Sequence, residues 1–308
     1  MQTNSNPPDA IIVGDIHAEE GQPPCRVDNF WETQIRKFKW LRGIWEYSSQ
    51  PVVIQVGDLF NHWKSSPKVI SAVLEYLPPM VTIPGNPGRH NYSGSDINKD
   101  ALYTVSVSGK GWVVLGMNES SPYDITKSLL PLGYVHYCPW GEDPKPQRLQ
   151  PGIRKILLTH RMIVDGYTPY DGDDAMEFLK RHRGYDLILT GHNHKPIVRT
   201  FNGRYLINPG SFTRQSAGET HDPSVWFWWS ESNKIERVAI PCDPAAITRQ
   251  HIEQEQARDL RLEAFVESLE EQKELDINYR KNVEIYVANN KIRQPVLDRI
   301  YAAIGKEK

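Results

Sequence analysis

Short apolar runs recur along the chain and end directly in Asp, Asn or His, or in a turn that delivers them. They are Ile11-Ile12-Val13-Gly14-Asp15-Ile16-His17, Val52-Val53-Ile54-Gln55-Val56-Gly57-Asp58, Val81-Thr82-Ile83-Pro84-Gly85-Asn86, Ile156-Leu157-Leu158-Thr159-His160 and Leu187-Ile188-Leu189-Thr190-Gly191-His192-Asn193-His194. Unbroken apolar character over so few residues, bounded by turn residues, predicts strands buried on both faces. Between them the period changes. Phe30, Trp31, Ile35, Phe38, Leu41, Ile44 and Trp45 recur at helical spacing behind Asp28 or Asn29 as N-cap. This aromatic stripe reads as sheet-facing core in preference to a base-stacking platform. Pro67 opens a second helix carrying Val69, Ile70, Val73, Leu74 and Leu77, and a third surrounds Ala175, Met176, Phe178 and Leu179.

From Ala101 the texture changes. Residues 102–107 and 112–115 flank Ser108-Gly109-Lys110-Gly111 and predict a hairpin. Tyr134-Val135-His136-Tyr137 reads as a strand, and residues 139–151 as a proline-rich surface loop. Ile197-Val198-Arg199-Thr200-Phe201, the turn Asn202-Gly203, Tyr205-Leu206-Ile207 and Val225-Trp226-Phe227-Trp228-Trp229 read as antiparallel hairpin elements. The expected fold is α/β, a mixed sheet paired with a second sheet and flanked by helices. A composition break near Pro241 and Pro244 separates residues 1–243 from 244–308. Beyond it, Leu262, Phe265, Val266 and Leu269 form one helical stripe, and Val296, Leu297, Ile300, Tyr301 and Ile304 another. Each is short for a self-sufficient domain, so this extension is expected to dock on the first domain or to receive a partner helix.

Composition narrows the classes. With 308 residues, 39% hydrophobic and 24% charged, this is an ordinary globular composition. Lys+Arg 36 against Asp+Glu 38 gives a formal net charge of -2, so no global positive field attracts nucleic acid. The cysteines Cys25, Cys138 and Cys242 are scattered without a C-x-x-C pair, which fits a reducing compartment and argues against a disulfide framework. The polar start lacks the charged lead and apolar core of a signal peptide, and no apolar run approaches the roughly 18 to 20 residues that cross a bilayer. A cytoplasmic protein without membrane association is expected, and the near-zero charge leaves a homodimer open.

The candidate chemistry lies at the ends of the apolar runs. In an open α/β sheet the carboxyl ends of the strands share one edge, where ligands bind. Asp15, His17, Asp58, Asn86, His160, His192 and His194 would meet there. Oxygen and imidazole donors without thiolate, too many for one tetrahedral ion, suit two adjacent divalent transition ions that share a carboxylate. Asn61 and His62 follow the second run in a loop expected over the site. The bland alternative, polar residues that merely cap strand ends, leaves unexplained why all of them are metal-capable types.

Asp15-Ile16-His17, Gly57-Asp58, Gly85-Asn86, Thr159-His160 and Gly191-His192-Asn193-His194, in that order and followed by Asn208-Pro209-Gly210-Ser211, resemble the signature of the calcineurin-like metallophosphoesterases. The resemblance implies a four-layer α/β/β/α sandwich. It implies one ion held by Asp15, His17, Asp58 and His194 and another by Asp58, Asn86, His160 and His192, with Asp58 bridging. Mn²⁺ is the expected ion, with Fe or Zn²⁺ as alternatives. Two ions roughly 3.5 to 4 Å apart activate water, so phosphodiester hydrolysis by metal-bound hydroxide without a covalent enzyme intermediate is the expected reaction.

Two departures from the family pattern stand out. The family's usual non-ligand histidine after the motif asparagine is Pro87 here, which cannot titrate. His90 is the candidate substitute and Arg89 the candidate phosphate clamp. Gly57-Asp58-Leu59-Phe60 followed by Ser66-Pro67 resembles the SbcD-type DNA repair exonucleases, in which the residue corresponding to Asn61 is a histidine; here His62 is adjacent. That resemblance implies DNA as substrate and an SbcC-like coiled-coil ATPase bound through the C-terminal helices. A nuclease of this kind needs a groove lined by Lys64, Arg89, Arg148, Arg199 or Arg214. A small-substrate phosphodiesterase or phosphatase, and a weakly active metal-binding interaction subunit, are the alternatives.

Overall fold

The computed structural model describes residues 6–86, 97–116, 132–138, 143–144, 153–166, 171–271 and 279–304. The chain divides into two compact units, residues 1–247 and 248–308. In the first, β1 (Ala10–Val13) leads to α1 (Phe30–Tyr47), β2 (Val52–Gln55), α2 (Pro67–Tyr76), β3 (Val81–Thr82), α3 (Ala101–Ser106) and β4 (Val113–Val114). There follow β5 (Tyr134–Cys138), β6 (Lys155–Thr159), β7 (Ile163–Val164), β8 (Asp173–Asp174), α4 (Ala175–Arg181) and β9 (Leu187–Thr190). The unit closes with β10 (Ile197–Phe201), β11 (Arg204–Asn208), β12 (Ser224–Trp229) and β13 (Lys234–Ala239).

These strands form two main sheets, ordered β13-β12-β1-β2-β3-β4 and β10-β11-β9-β6-β5. The first is parallel from β1 to β4 and antiparallel at β12 and β13. In the second only the β10–β11 pair is antiparallel. Alternation within each strand explains the layers. Ala10 and Ile12 of β1 join Ile156 and Leu158 of β6, Leu187 and Leu189 of β9, Ile207 and Trp228 in the core between the sheets. Their neighbours Ile11 and Val13 face the other way, onto Phe38 and Leu41 of α1 and Val69 and Val73 of α2. Leu157, Ile188 and Leu206 pack on Phe178 and Leu179 of α4. Helices, sheet, sheet and helix thus form the α/β/β/α sandwich, and strands buried on both faces read as continuous apolar runs for this reason.

Local signals fix the helices. Asn29 caps α1, its side chain accepting from Glu32 N–H, and Ser66 caps α2 ahead of Pro67. The expected hairpin over residues 102–115 does not form. Residues 101–106 are helix α3, and β4 pairs parallel with β3, Val81 opposite Val113. β-branched Thr104, Val105 and Val107 favour a strand by propensity, but Asp100 Oδ1 accepts from Leu102 N–H at 2.7 Å, and Ala101, Leu102 and Val105 are buried on one side. Capping and packing override the propensity. Asp100→Ala should therefore cost about 1 kcal/mol, read as a lowered urea midpoint with unchanged slope; an unaltered midpoint would remove the cap from this explanation.

Lys37, on the inner side of α1, is 4% exposed and donates to the Phe212 carbonyl at 3.1 Å. Burial pushes its pKa down from 10.5 to about 8. The unfolded chain then holds a proton that the folded chain lacks between those two values, so stability climbs with pH across that window and the penalty is fully present below it. Measured by denaturant at about pH 7.5 and again near pH 10.5, the stability of the wild type relative to Lys37→Met should rise by on the order of 2–3 kcal/mol. A flat difference would contradict this account of the residue.

The second unit consists of α5 (Gln250–Glu271), α6 (Tyr279–Asn289) and α7 (Gln294–Ile304). Leu262, Val283 and Ile300 are buried, the Phe265 and Tyr286 rings lie 4.9 Å apart, and Arg293 pairs with Asp259. Leu260, Ile285 and Tyr301 are at least half exposed. No helix among the described residues is long and apolar enough to cross a membrane.

Candidate metal centre

The ends of β1, β2 and β3 in one sheet and of β6 and β9 in the other meet at one end of the sandwich. The expectation of a single sheet edge is corrected here: the carboxylates come from the first sheet, His160 and the paired histidines from the second, and the stacking of the sheets brings them together. The loops after β1 and β2 are tied by the Ile16 and His17 N–H groups, both donating to the Asp58 carbonyl at 3.2 and 2.9 Å. Asp15 bridges to Ser211, and its carbonyl accepts from Phe212 N–H at 2.8 Å. His17, Asp58 and His192 all have positive φ, 48°, 52° and 72°. Such a conformation costs roughly 1–2 kcal/mol in an L-residue, and here it turns three polar side chains at the strand ends.

Glycines make the approach possible. A Cβ on Gly85 would lie 1.6 Å from Asp58 Oδ1, and one on Gly191 would lie 2.5 Å from Asp15 Oδ1 and 2.7 Å from His160 Nδ1. The glycines preceding Asn86 and His192 are thus a space requirement of the cluster as well as a turn signal.

Two groups of donor atoms converge. Asp15, His17 and His194 form one, and Asp15, Asp58 and His160 the other. His17 Nε2 lies 3.0 Å from His194 Nε2 and 3.4 Å from Asp58 Oδ2, and His160 Nε2 also lies 3.4 Å from Asp58 Oδ2. Asp15 Oδ2 is 3.6 Å from His194 Nε2 and accepts from His192 N–H at 2.8 Å. The His192 ring stands edge-on to that of His160 at 5.4 Å, and Asn86 N–H donates to Asp58 Oδ1 at 3.2 Å. Asp15 belongs to both groups and Asp58 Oδ2 reaches a histidine of each, so two carboxylates share the position that the resemblance assigns to Asp58 alone.

The electrostatics follow from burial. Asp15 and His160 are each 1% exposed. Burial raises Asp15 to about 6, against the pull of His160 and His194. Burial alone would lower His160, but the Asp58 carboxylate, 3.4 Å from Nε2, and the Asp15 charge outweigh it and raise the imidazole to about 9. The cluster therefore gathers positive charge as protons where carboxylates crowd. Three of its buried polar atoms, Asp15 Oδ1, Asn86 Oδ1 and His160 Nε2, have no hydrogen-bond partner among the described residues. Left so, each would cost about 1–3 kcal/mol, whereas a cation with oxygen and imidazole ligands satisfies all three. The residues present fit a pair of divalent ions.

The other candidates are placed differently. Asn61 Nδ2 donates to Glu19 Oε2 at 2.6 Å; His62 is exposed, its Nδ1 accepting from Lys64 N–H at 3.0 Å and its ring stacked on Trp63. Arg89, His90 and Arg148 lie outside the described residues. Arg199 pairs with Asp165, Arg214 is 7% exposed and donates to the Asp243 carbonyl at 3.0 Å, and Lys64 lies over the Trp63 ring. Sequence reading passed over Glu219. It is 6% exposed, with Oε1 2.9 Å from His194 Nδ1 and Oε2 accepting from Ser211 Oγ at 2.6 Å. Only its position, a short polar loop beyond Asn208-Pro209-Gly210-Ser211, could have drawn attention to it.

A double sheet that buries carboxylates and imidazoles at its strand ends is the architecture of a metal-dependent hydrolase. The family model for calcineurin-like phosphoesterases matches residues 9–196, more than half of the 308 residues, and the chain belongs to that family. A protein of Methanothermobacter thermautotrophicus described as a probable metallophosphoesterase is 25% identical over 99 residues, 32% of this chain and 54% of that one. The alignment thus spans about half of that relative's length. Among solved structures, TT1561 of Thermus thermophilus matches 77% of this chain and 100% of its own with a TM-score of 0.45 at 10% identity. An archaeal phosphodiesterase matches 75% and 98% with a TM-score of 0.40 at 13% identity.

Proposed function

We propose that the chain is a dinuclear metal-dependent phosphodiesterase acting on small phosphodiesters at the Asp15–Asp58–His160 cluster. The observation that carries this reading is the set of buried ligand atoms that make no hydrogen bond among the described residues, at the meeting of the two sheets: Asp15 Oδ1, Asn86 Oδ1 and His160 Nε2, the last 3.4 Å from Asp58 Oδ2. Asp15, His17 and His194, with Asp58 beside them, would hold one ion; Asp58, His160, Asn86 and His192 would hold the other, with Asp15 close to both. Bound divalent ions supply Lewis acidity toward phosphoryl oxygens and a water nucleophile at neutral pH. The residues of the chain do the positioning. Val56 carbonyl lies 2.8 Å from His160 Nδ1 and fixes that ring, leaving Nε2 toward Asp58. Asp58 and Asp15 set a negative, water-poor floor that selects for cations.

The preference for small substrates over DNA rests on the basic side chains. Of the three described residues that a DNA groove would use, Arg199 and Arg214 are engaged by Asp165 and the Asp243 carbonyl, which leaves Lys64, over the Trp63 ring, as the exposed cation of the set. Hydrolysis of bis-p-nitrophenyl phosphate with Mn²⁺, run beside linear and single-stranded DNA at two salt concentrations, tests the reading. Mn²⁺-dependent release of p-nitrophenol with little DNA cleavage is expected. Salt-sensitive DNA cleavage that outpaces the small diester would favour the nuclease alternative, and silence with every divalent ion would overturn the assignment.

A further inference from the structure

The return loop behind His194 carries a buried carboxylate that no ligand set for the two ions uses. Glu219 Oε1 lies 2.9 Å from His194 Nδ1, and Glu219 Oε2 accepts from Ser211 Oγ at 2.6 Å and from Gln215 N–H at 3.2 Å. His221 Nε2 extends the network, 3.3 Å from Ser211 Oγ. Gln215 in turn donates through Nε2 to the His17 carbonyl at 2.9 Å, so one loop braces both histidines of the same donor group. His160 has a different brace, the Val56 carbonyl on its Nδ1. The two donor groups thus rest on different supports: a charged carboxylate for His194, a neutral carbonyl for His160.

We infer that Glu219 is a positioning residue for one ion only: it keeps the proton of His194 on Nδ1, turns Nε2 toward Asp15 and His17, and so sets the affinity of the ion held there. This rests on the two-ion reading above. A carboxylate behind a ligating imidazole fixes its tautomer and raises its basicity, and losing such a partner typically costs 10- to 100-fold in metal affinity. The third carboxylate also matters by charge. Asp15 and Asp58 alone leave two divalent ions undercompensated, and Glu219 adds a negative charge on the His194 side only.

The test uses the full chain, stripped with chelator and titrated with Mn²⁺ by calorimetry. The wild type should show two binding events. In Glu219→Ala one dissociation constant should rise by about 10- to 100-fold while the other changes less than about threefold. Glu219→Gln, which keeps an acceptor but loses the charge, should fall between. On the Zn²⁺-loaded wild type, ¹⁵N chemical shifts should show His194 ligating through Nε2 and protonated at Nδ1, a readout that needs no variant to fold, while the intermediate affinity of Glu219→Gln separates the effect of the carboxylate charge from mere structural support. Unchanged affinities in a folded Glu219→Ala, equal weakening of both ions, or His194 protonated at Nε2 would each overturn the inference while leaving a two-ion wild type intact. A wild type that binds no ion would overturn the two-ion reading and this inference together.

Discussion

Asp58→Asn should lower kcat/KM for Mn²⁺-dependent diester hydrolysis by at least about a thousandfold, with the loss in kcat at saturating metal. Asp58 Oδ2 stands 3.4 Å from both His17 Nε2 and His160 Nε2, which puts it, like Asp15, in reach of both halves of the cluster. Asparagine keeps the volume and one oxygen but brings an NH₂ group toward two imidazoles and removes a charge from a site that is only 7% exposed. In such a setting the lost charge is worth several kcal/mol toward a pair of cations, far more than a surface carboxylate. Steady-state kinetics with elemental analysis of the same samples would check it. A variant that retains both ions and activity within about tenfold of wild type would show that Asp58 is not the shared group.

Gly85→Ala is expected to be nearly as damaging, although it changes no ligand. The added methyl would meet Asp58 Oδ1 at 1.6 Å, Cγ at 2.6 Å and the Asp58 backbone nitrogen at 2.8 Å. Rotating Asp58 away relieves the first two contacts but not the third, because the backbone there is tied to Ile16 and His17. Strain of this kind costs typically 1–3 kcal/mol of stability. The displaced carboxylate should in addition weaken Mn²⁺ binding by about 100-fold or more, since the ligand itself moves and not merely its support. Denaturation of the metal-free chain and calorimetric titration separate the two effects. Normal metal affinity in this variant would mean that the carboxylate has room the structure does not display.

Part of this was legible in the sequence for a simple reason. Each strand that ends in a candidate ligand is largely buried on both faces, so its run is apolar but for isolated residues such as Gln55 and Thr82, and a glycine stands beside Asp58, Asn86 and His192. A short window of sequence records both, although the contacts that demand those glycines, Gly57 with His160, Gly85 with Asp58 and Gly191 with Asp15 and His160, are long-range. The stacking of two sheets is not local. Nothing in the run that ends at His160 says that it belongs to a different sheet from the run that ends at Asp58. Residues 101–106 misled because Thr104 and Val105 carry strand propensity, while the cap at Asp100 and burial of Ala101 and Leu102 decide for helix. β13, Lys-Ile-Glu-Arg-Val-Ala, escaped notice as an edge strand with much of its length exposed, where charged residues interrupt the apolar pattern. Glu219 was invisible for a third reason: its partner His194 lies 25 positions away, across a loop with no periodicity to read.

The central claim is a pair of cations held where the two sheets meet, and anomalous diffraction from crystals of the full chain grown with Mn²⁺ addresses it most directly. Two peaks per chain are expected, one bonded to Asp15, His17 and His194, the other to Asp58 and His160. No peak in a folded chain, or ions bound away from these side chains, would contradict it.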